Sequence, residues 1–266
     1  SSILGPDAGE QKQVKYLSRV LEWTSSGITY EHDPRHVDAV LKEMGMEDCK
    51  PVSNPGVKLA GEDISEEMAL DKKRGSEIRR VIAILNYIAQ DRPDLGYAVK
   101  ECTRSMSCPT TRTEAAVKRI ARYLKGCPRR VCIYRWQSEP SGFHAFSDSD
   151  WAGCTKTRRS TSGGVILHGA HVIKAWSRTQ ACVALSSGEA ELYALVKASV
   201  ETLGLRNIAR EMGVERNGTL YTDSSAAKGA IHRVGTGRMK HVEAQHLWVQ
   251  EMAAKNTLEY KKIPRG

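Results

Sequence analysis

The chain has 266 residues, 40% apolar and 27% charged, which is enough for one large or two small hydrophobic cores and excludes a collagen-like, coiled-coil or wholly disordered polypeptide. No apolar run exceeds five residues, whereas a membrane-spanning helix needs roughly 20, and residues 1–13 lack the basic and apolar regions of a secretory signal. Forty basic residues outweigh 31 acidic ones unevenly: residues 1–70 carry a net −6, residues 71–140 a net +9 and residues 141–266 a net +6. Two adjacent basic blocks point to a polyanionic partner such as nucleic acid, against the plainer reading of solvated helix faces. The start without Met reads as a cut inside a longer polypeptide. Seven cysteines, an odd number with no C-x-x-C pair, suggest neither a disulfide framework nor a zinc ribbon and fit a reducing compartment.

Gly/Pro punctuation at 51–56 and 139–142 divides the chain into three stretches. The first predicts a strand over 14–23, a Ser25-Ser26-Gly27 turn, a strand over 28–31 and a helix over 34–44 with Val37, Val40, Leu41 and Met44 on one face. It is too small to fold alone. The second predicts helices over 77–90, 94–106 and 113–124, with Arg79, Arg80, Arg119 and Arg122 opposite their apolar faces as candidate phosphate contacts. The third predicts strands over 142–148, 163–168 and 171–177, then a helix over 187–212 begun by a capping box of Ser186 with Glu189. A strand over 219–222, helices over 224–232 and 242–254, and a strand over 257–263 follow. The order is β-β-β-α-β-α-α-β, without internal repeats.

Three acidic residues of the third stretch stand where an element begins or ends beside small residues: Asp148, Glu191 and Asp223. If the strands bearing the two aspartates are neighbours and the long helix crosses them, the carboxylates converge. Such a group repels itself unless a divalent cation sits within it. Hard oxygen ligands without Cys or His select Mg²⁺ or Mn²⁺, and two such ions can activate a water and stabilise the leaving oxygen of a phosphodiester. The pattern predicts a metal-dependent nuclease. The bland alternative is that each acid is a cap or a surface charge.

The surrounding runs add to this: F-S-D-S-D-W-A-G at 146–153, R-R-S-T-S-G-G at 158–164, A-L-S-S-G-E-A-E-L-Y-A at 184–194, Y-T-D-S-S-A-A at 221–227 and K-H-V-E at 240–243. In that order they resemble the ribonuclease H domain of copia-type LTR retrotransposon Pol polyproteins. Upstream, L-N-Y-I-A-Q-D-R-P-D-L-G-Y-A-V at 85–99 and R-Y-L-K-G at 122–126 resemble that family's segment between polymerase and ribonuclease H. D-C-K-P-V-S-N-P at 48–55 is similar to its stretch after the polymerase palm. The resemblance covers nearly the whole chain.

It implies a palm remnant over 1–56, a basic, mostly helical connection or thumb-like region over 57–138, and over 139–266 a C-terminally truncated α/β ribonuclease H domain. That domain is a mixed five-stranded sheet flanked by helices, cleaving the RNA strand of an RNA/DNA hybrid with two Mg²⁺ ions, Mn²⁺ being the alternative. The implied metal ligands are Asp148 (Asp150 the runner-up), Glu191 (Glu189, the capping partner, close enough to exchange roles) and Asp223. The implied partners are the hybrid and the upstream polymerase region of the same polyprotein; the implied location is intracellular, in a cytoplasmic particle with a nuclear stage. Two departures stand out. No Asp-Asp pair exists to polymerise, and the family's fourth metal acid lies past the last strand, leaving it missing or supplied from outside, with Glu243 an acid nearby.

Weaker readings complete the set. Lys156, Arg158 and Arg159 are candidate phosphate contacts in the loop after the first strand of the domain. His241 and His246 read as packing or surface groups, Gly235-Thr236-Gly237 as a plain turn, and Trp151 and Trp176 as core residues. The rival to an enzyme is a non-catalytic nucleic-acid-binding fragment of a decayed or truncated Pol, which keeps the fold and basic surface without holding both metals.

Overall fold

The computed structural model describes residues 3–56, 67–154, 156–235, 237 and 247–263. Within it the chain forms two units, Ser1–Trp136 and Gln137–Gly266.

In the first unit β1 (Gln13–Tyr16), β2 (Arg19–Thr24), β3 (Gly27–His32) and β4 (Cys132–Arg135) form an antiparallel sheet in that order. The single strand expected over 14–23 is two strands. A two-residue hairpin turn at Leu17 and Ser18 divides them, with φ of 47° and 58°. Neither residue is Gly or Asn, so the usual signal for such a turn is absent. The Leu17 carbonyl is fixed instead by the Tyr87 hydroxyl and the Arg19 guanidinium, each donating at 2.9 Å. Strand β4 was not expected, and its role is to pair with β3 from about a hundred positions away in sequence.

The helices are α1 (Arg35–Met44), α2 (Lys72–Ile88), α3 (Gly96–Thr103) and α4 (Thr111–Gly126). Helix α2 begins earlier than its apolar face suggests because Asp71 caps it, its Oδ1 accepting the N–H groups of Lys73 (2.9 Å) and Arg74 (3.0 Å). Val37, Val40 and Leu41 of α1 share one core with Ile78, Ile82 and Leu85 of α2, Val99 of α3 and Val117, Ile120 and Leu124 of α4. Residues set out above as two segments therefore contribute to the same interior.

Inside that unit Arg92 is fully buried. Its guanidinium donates to both Asp94 carboxylate oxygens, at 3.0 Å and 2.7 Å, and the Tyr123 hydroxyl donates to the same carboxylate at 2.8 Å. Burial pushes the Asp94 pKa up, but these donors more than offset it and hold the group below its ordinary value. Asp94→Ala leaves a buried guanidinium uncompensated and is expected to cost about 3 kcal/mol, read by hydrogen exchange of α2–α4 across a urea series. In the parent chain this stability is present above the carboxylate range and is lost as pH falls through it; the alanine variant loses that pH dependence.

In the second unit β5 (Gly142–Asp150), β6 (Thr161–His168) and β7 (His171–Thr179) form an antiparallel meander, and β8 (Asn217–Thr222) and β9 (Glu259–Lys262) add parallel to it. The sheet order β7-β6-β5-β8-β9, with α5 (Ser187–Glu211), α6 (Ser225–Ile231) and α7 (Trp248–Ala254), is the ribonuclease H-like arrangement. Leu192, Leu195 and Ala198 of α5 pack over Phe143, Ala145, Ile166 and Leu220 of the sheet. Ser199 of α5 is buried and closes its hydroxyl onto the Leu195 carbonyl (2.8 Å) and the Tyr260 hydroxyl (3.0 Å). Gly164 leaves room for an aromatic ring: a Cβ there would run into Trp176.

Candidate metal centre

Parallel pairing of β5 with β8 runs through Phe146 opposite Tyr221, and Asp148 and Asp223 each stand two residues further on. The two exposed aspartates thus emerge side by side at one end of adjacent strands. Asp223 is held between two local caps: the Ser224 N–H donates to Thr222 Oγ1, and Ser224 Oγ accepts the Ala227 N–H, both at 3.1 Å. The third acid comes from α5. Ser186 caps that helix through the Glu189 N–H (3.2 Å), which places Glu191 at the start of its second turn. One oxygen from each of Asp148, Glu191 and Asp223 lies within 4.8 Å of the others.

Glu191 is only 8% exposed. Its Oε1 accepts the Ser149 N–H at 3.0 Å and the Ser149 hydroxyl at 2.8 Å, whereas its buried Oε2 has no hydrogen-bond partner. Burial, then the negative charges of Asp148 and Asp223, push its pKa up to about 7 against the two donated bonds. A carboxylate with an orphaned oxygen, meeting two further carboxylates, suits a small divalent cation, and a donor set of oxygens alone suits Mg²⁺ or Mn²⁺. Ser149 is the residue that sequence reasoning missed. Its signal was its place between the acids of S-D-S-D, where a donor to a converging carboxylate is needed.

The alternates lie elsewhere. Asp150 turns into its own loop, accepting the Thr161 N–H. Glu189 is 1% exposed and accepts the Tyr193 hydroxyl (2.6 Å) and the Leu185 N–H (3.0 Å), so its carboxylate closes on the residue before the cap and not on Ser186 as a capping box requires. Glu243, His241 and His246 lie outside the described residues. Gly235 is clamped by the Gln250 amide through its N–H (3.2 Å) and carbonyl (2.9 Å).

Of the candidate phosphate contacts, Lys156, Arg158 and Arg159 are exposed in the loop after β5. Arg80 pairs with Glu43, Arg119 donates to Asn54 Oδ1 (2.7 Å), Arg122 donates to the Lys50 carbonyl (2.8 Å), and Arg79 is half-buried beside Gly75. Three of these four helical arginines thus hold neighbouring segments of the unit. Trp176 is half-buried against the core, as expected. Trp151 is not a core residue: it is 54% exposed, because it follows the last position of β5, where the strand leaves the sheet.

No protein-family model matches the chain. It is 35% identical over 167 residues to an uncharacterized mitochondrial protein of Arabidopsis thaliana, covering 63% of this chain and 68% of that protein. It is 28% identical over 270 residues to a retrovirus-related Pol polyprotein of a Nicotiana tabacum transposon, covering 97% of this chain and 20% of the polyprotein. A retrovirus-related Pol polyprotein of an Arabidopsis thaliana transposon is 30% identical over 227 residues, with 84% of this chain and 15% of that one covered. The chain therefore spans a fifth or less of these two polyproteins. Among solved structures, the foamy viral protease-reverse transcriptase in complex with dsDNA aligns over 97% of this chain and 46% of its own, with a TM-score of 0.50 and 9% identity. That is a likeness of fold.

Because folding holds Glu191 above its ordinary 4.5, metal-free stability is fully present below that pH and is lost as pH rises to about 7. Glu191→Gln removes this dependence, which thermal unfolding at pH 5 and pH 8 will show. Mg²⁺ must displace the Glu191 proton below pH 7, so its affinity is expected to fall about tenfold per pH unit there, with proton release seen by calorimetry in buffers of different ionisation enthalpy.

Proposed function

Because the chain belongs to the Pol polyprotein family of copia-type LTR retrotransposons, we propose that residues 137–266 are a metal-dependent ribonuclease H that hydrolyses the RNA strand of an RNA/DNA hybrid. In the same reading residues 1–136 are the end of the polymerase palm with the connection that follows it, working beside an upstream polymerase region. The observation that carries the proposal is the meeting of Asp148, Glu191 and Asp223 with Glu191 Oε2 unpartnered.

Two Mg²⁺ ions, when bound, supply the charge that lowers the pKa of the attacking water and stabilises the leaving oxygen. The chain does the placing. Asp148 presents its carboxylate from β5 and Asp223 from the end of the neighbouring β8, and Ser149 holds Glu191 through Oε1 while Oε2 stays unpartnered. Arg158 and Arg159 attract the phosphate backbone, and the hybrid is chosen by groove shape and 2′-hydroxyl contacts.

Among the described residues the acidic group has three members. That count favours a second reading, a fragment that binds the hybrid and cleaves it slowly or not at all. One assay separates the two: Mg²⁺-dependent cleavage of an end-labelled hybrid, expected for the enzyme and absent for the binder. Asp223→Asn is expected to abolish cleavage while hybrid affinity stays equal or rises, since the change removes a negative charge facing phosphates. Unchanged cleavage by that variant would overturn the role given to the triad.

A further inference from the structure

The segments on either side of the carboxylates carry an apolar surface that metal binding does not use. Trp151 is 54% exposed, and Val183 and Leu185, in the segment that leads into α5, are 46% and 67% exposed. The Trp151 indole N–H donates to the Ala184 carbonyl at 3.1 Å. Its one polar atom is thus satisfied from within the protein, and what it offers solvent is ring carbon.

The surface is also held in place. The Ala152 N–H donates to Ser160 Oγ at 2.9 Å, the Gln180 N–H to the Ser160 carbonyl at 2.8 Å, and the Leu185 N–H to Glu189 at 3.0 Å. Gln180 Nε2 reaches the Ala190 carbonyl at 2.8 Å, tying the approach segment to α5. Trp151 follows Asp148 by three residues, Leu185 immediately precedes the α5 cap, and Ser149 joins the two segments through Glu191. The apolar surface therefore lies on the same two segments that carry Asp148 and lead to Glu191, and the exposed Arg158 and Arg159 belong to the loop that follows Trp151.

An apolar plate edged by positive charge, beside a cluster that draws a divalent cation, is complementary to one nucleotide: sugar and base on the plate, phosphates on the arginines and the cation. We propose that Trp151, supported by Leu185, contacts the sugar and base of a nucleotide next to the scissile phosphate of the bound hybrid. This rests on the hybrid being the ligand of the site. Trp151 is then a residue of substrate affinity, reading no sequence, because every base offers a π-face.

The test is fluorescence-anisotropy titration of a labelled hybrid with the non-cleaving Asp223→Asn chain in Mg²⁺ over a salt series. Adding Trp151→Ala is expected to weaken binding about tenfold at every salt concentration, a parallel shift, because an apolar contact releases no counterions. Trp151→Phe keeps a ring without the N–H and retains most of the affinity. Replacing Arg158 and Arg159 by Gln instead lowers the slope of log affinity against log salt by about 2. Unchanged affinity of Trp151→Ala, in a parent that binds hybrid, overturns this inference and leaves the proposed function standing. Equal losses for Ala and Phe, with a fall in melting temperature, overturn it by making the bond to Ala184 the whole role. A parent that binds no hybrid overturns both.

Discussion

Three carboxylates held within 4.8 Å of one another, one of them buried, are the constraint around which the second unit is built. Burial first, and then the repulsion of like charges at that spacing, holds a proton on Glu191 up to about pH 7 in the folded chain without a cation. The local devices around the group have one purpose. Ser149 takes one Glu191 oxygen, Ser224 and Thr222 fix the turn that carries Asp223, and Ser186 sets where α5 begins. Each converts a floppy terminus into a fixed origin, so that the unfavourable cluster is maintained by its neighbours.

Those neighbours are held by an interior of small and branched side chains. Ala190, Ala194 and Ala198 have no exposed surface and let α5 sit close to the sheet, while Leu192, Leu195 and Leu220 are fully buried beside them. A fully buried Leu side chain contributes about 1.5–3 kcal/mol, so a few of them offset the cost of one buried, unpaired carboxylate oxygen. The packing is therefore part of the site, since loosening α5 by a fraction of a turn would move Glu191 away from the aspartates.

Much of this was legible in the sequence, for physical reasons that differ by element. Strand β5 announced itself because its burial alternates along 143–147, and helix α5 because Ser186 caps its first turn. The triad was legible because its acids end strands or open a helix. What escaped depended on partners distant in sequence or on atypical local chemistry. Strand β4 has only four residues, C-I-Y-R, whose sequence does not alternate apolar with polar, and it exists because β3 offers an edge. The Leu17-Ser18 turn carries no turn residue and relies on Tyr87, 70 positions away. Trp151 looked like core by composition, yet it follows the end of a strand, where burial stops.

The two units treat charge in opposite ways, and the contrast separates stability from function. Around Arg92 the charges close on themselves: the guanidinium, the Asp94 carboxylate and the Tyr123 hydroxyl satisfy one another, so a further ligand would have to displace a bond already made. Around Glu191 the same kind of network is left open, with Oε2 buried and unpartnered and two exposed aspartates in the same acidic group. A closed network gains nothing from an added ion. An open one is destabilising until a cation completes it, so the free energy withheld in folding is released on binding. The first arrangement makes a scaffold and the second makes a centre whose affinity is stored in its own unsatisfied atoms.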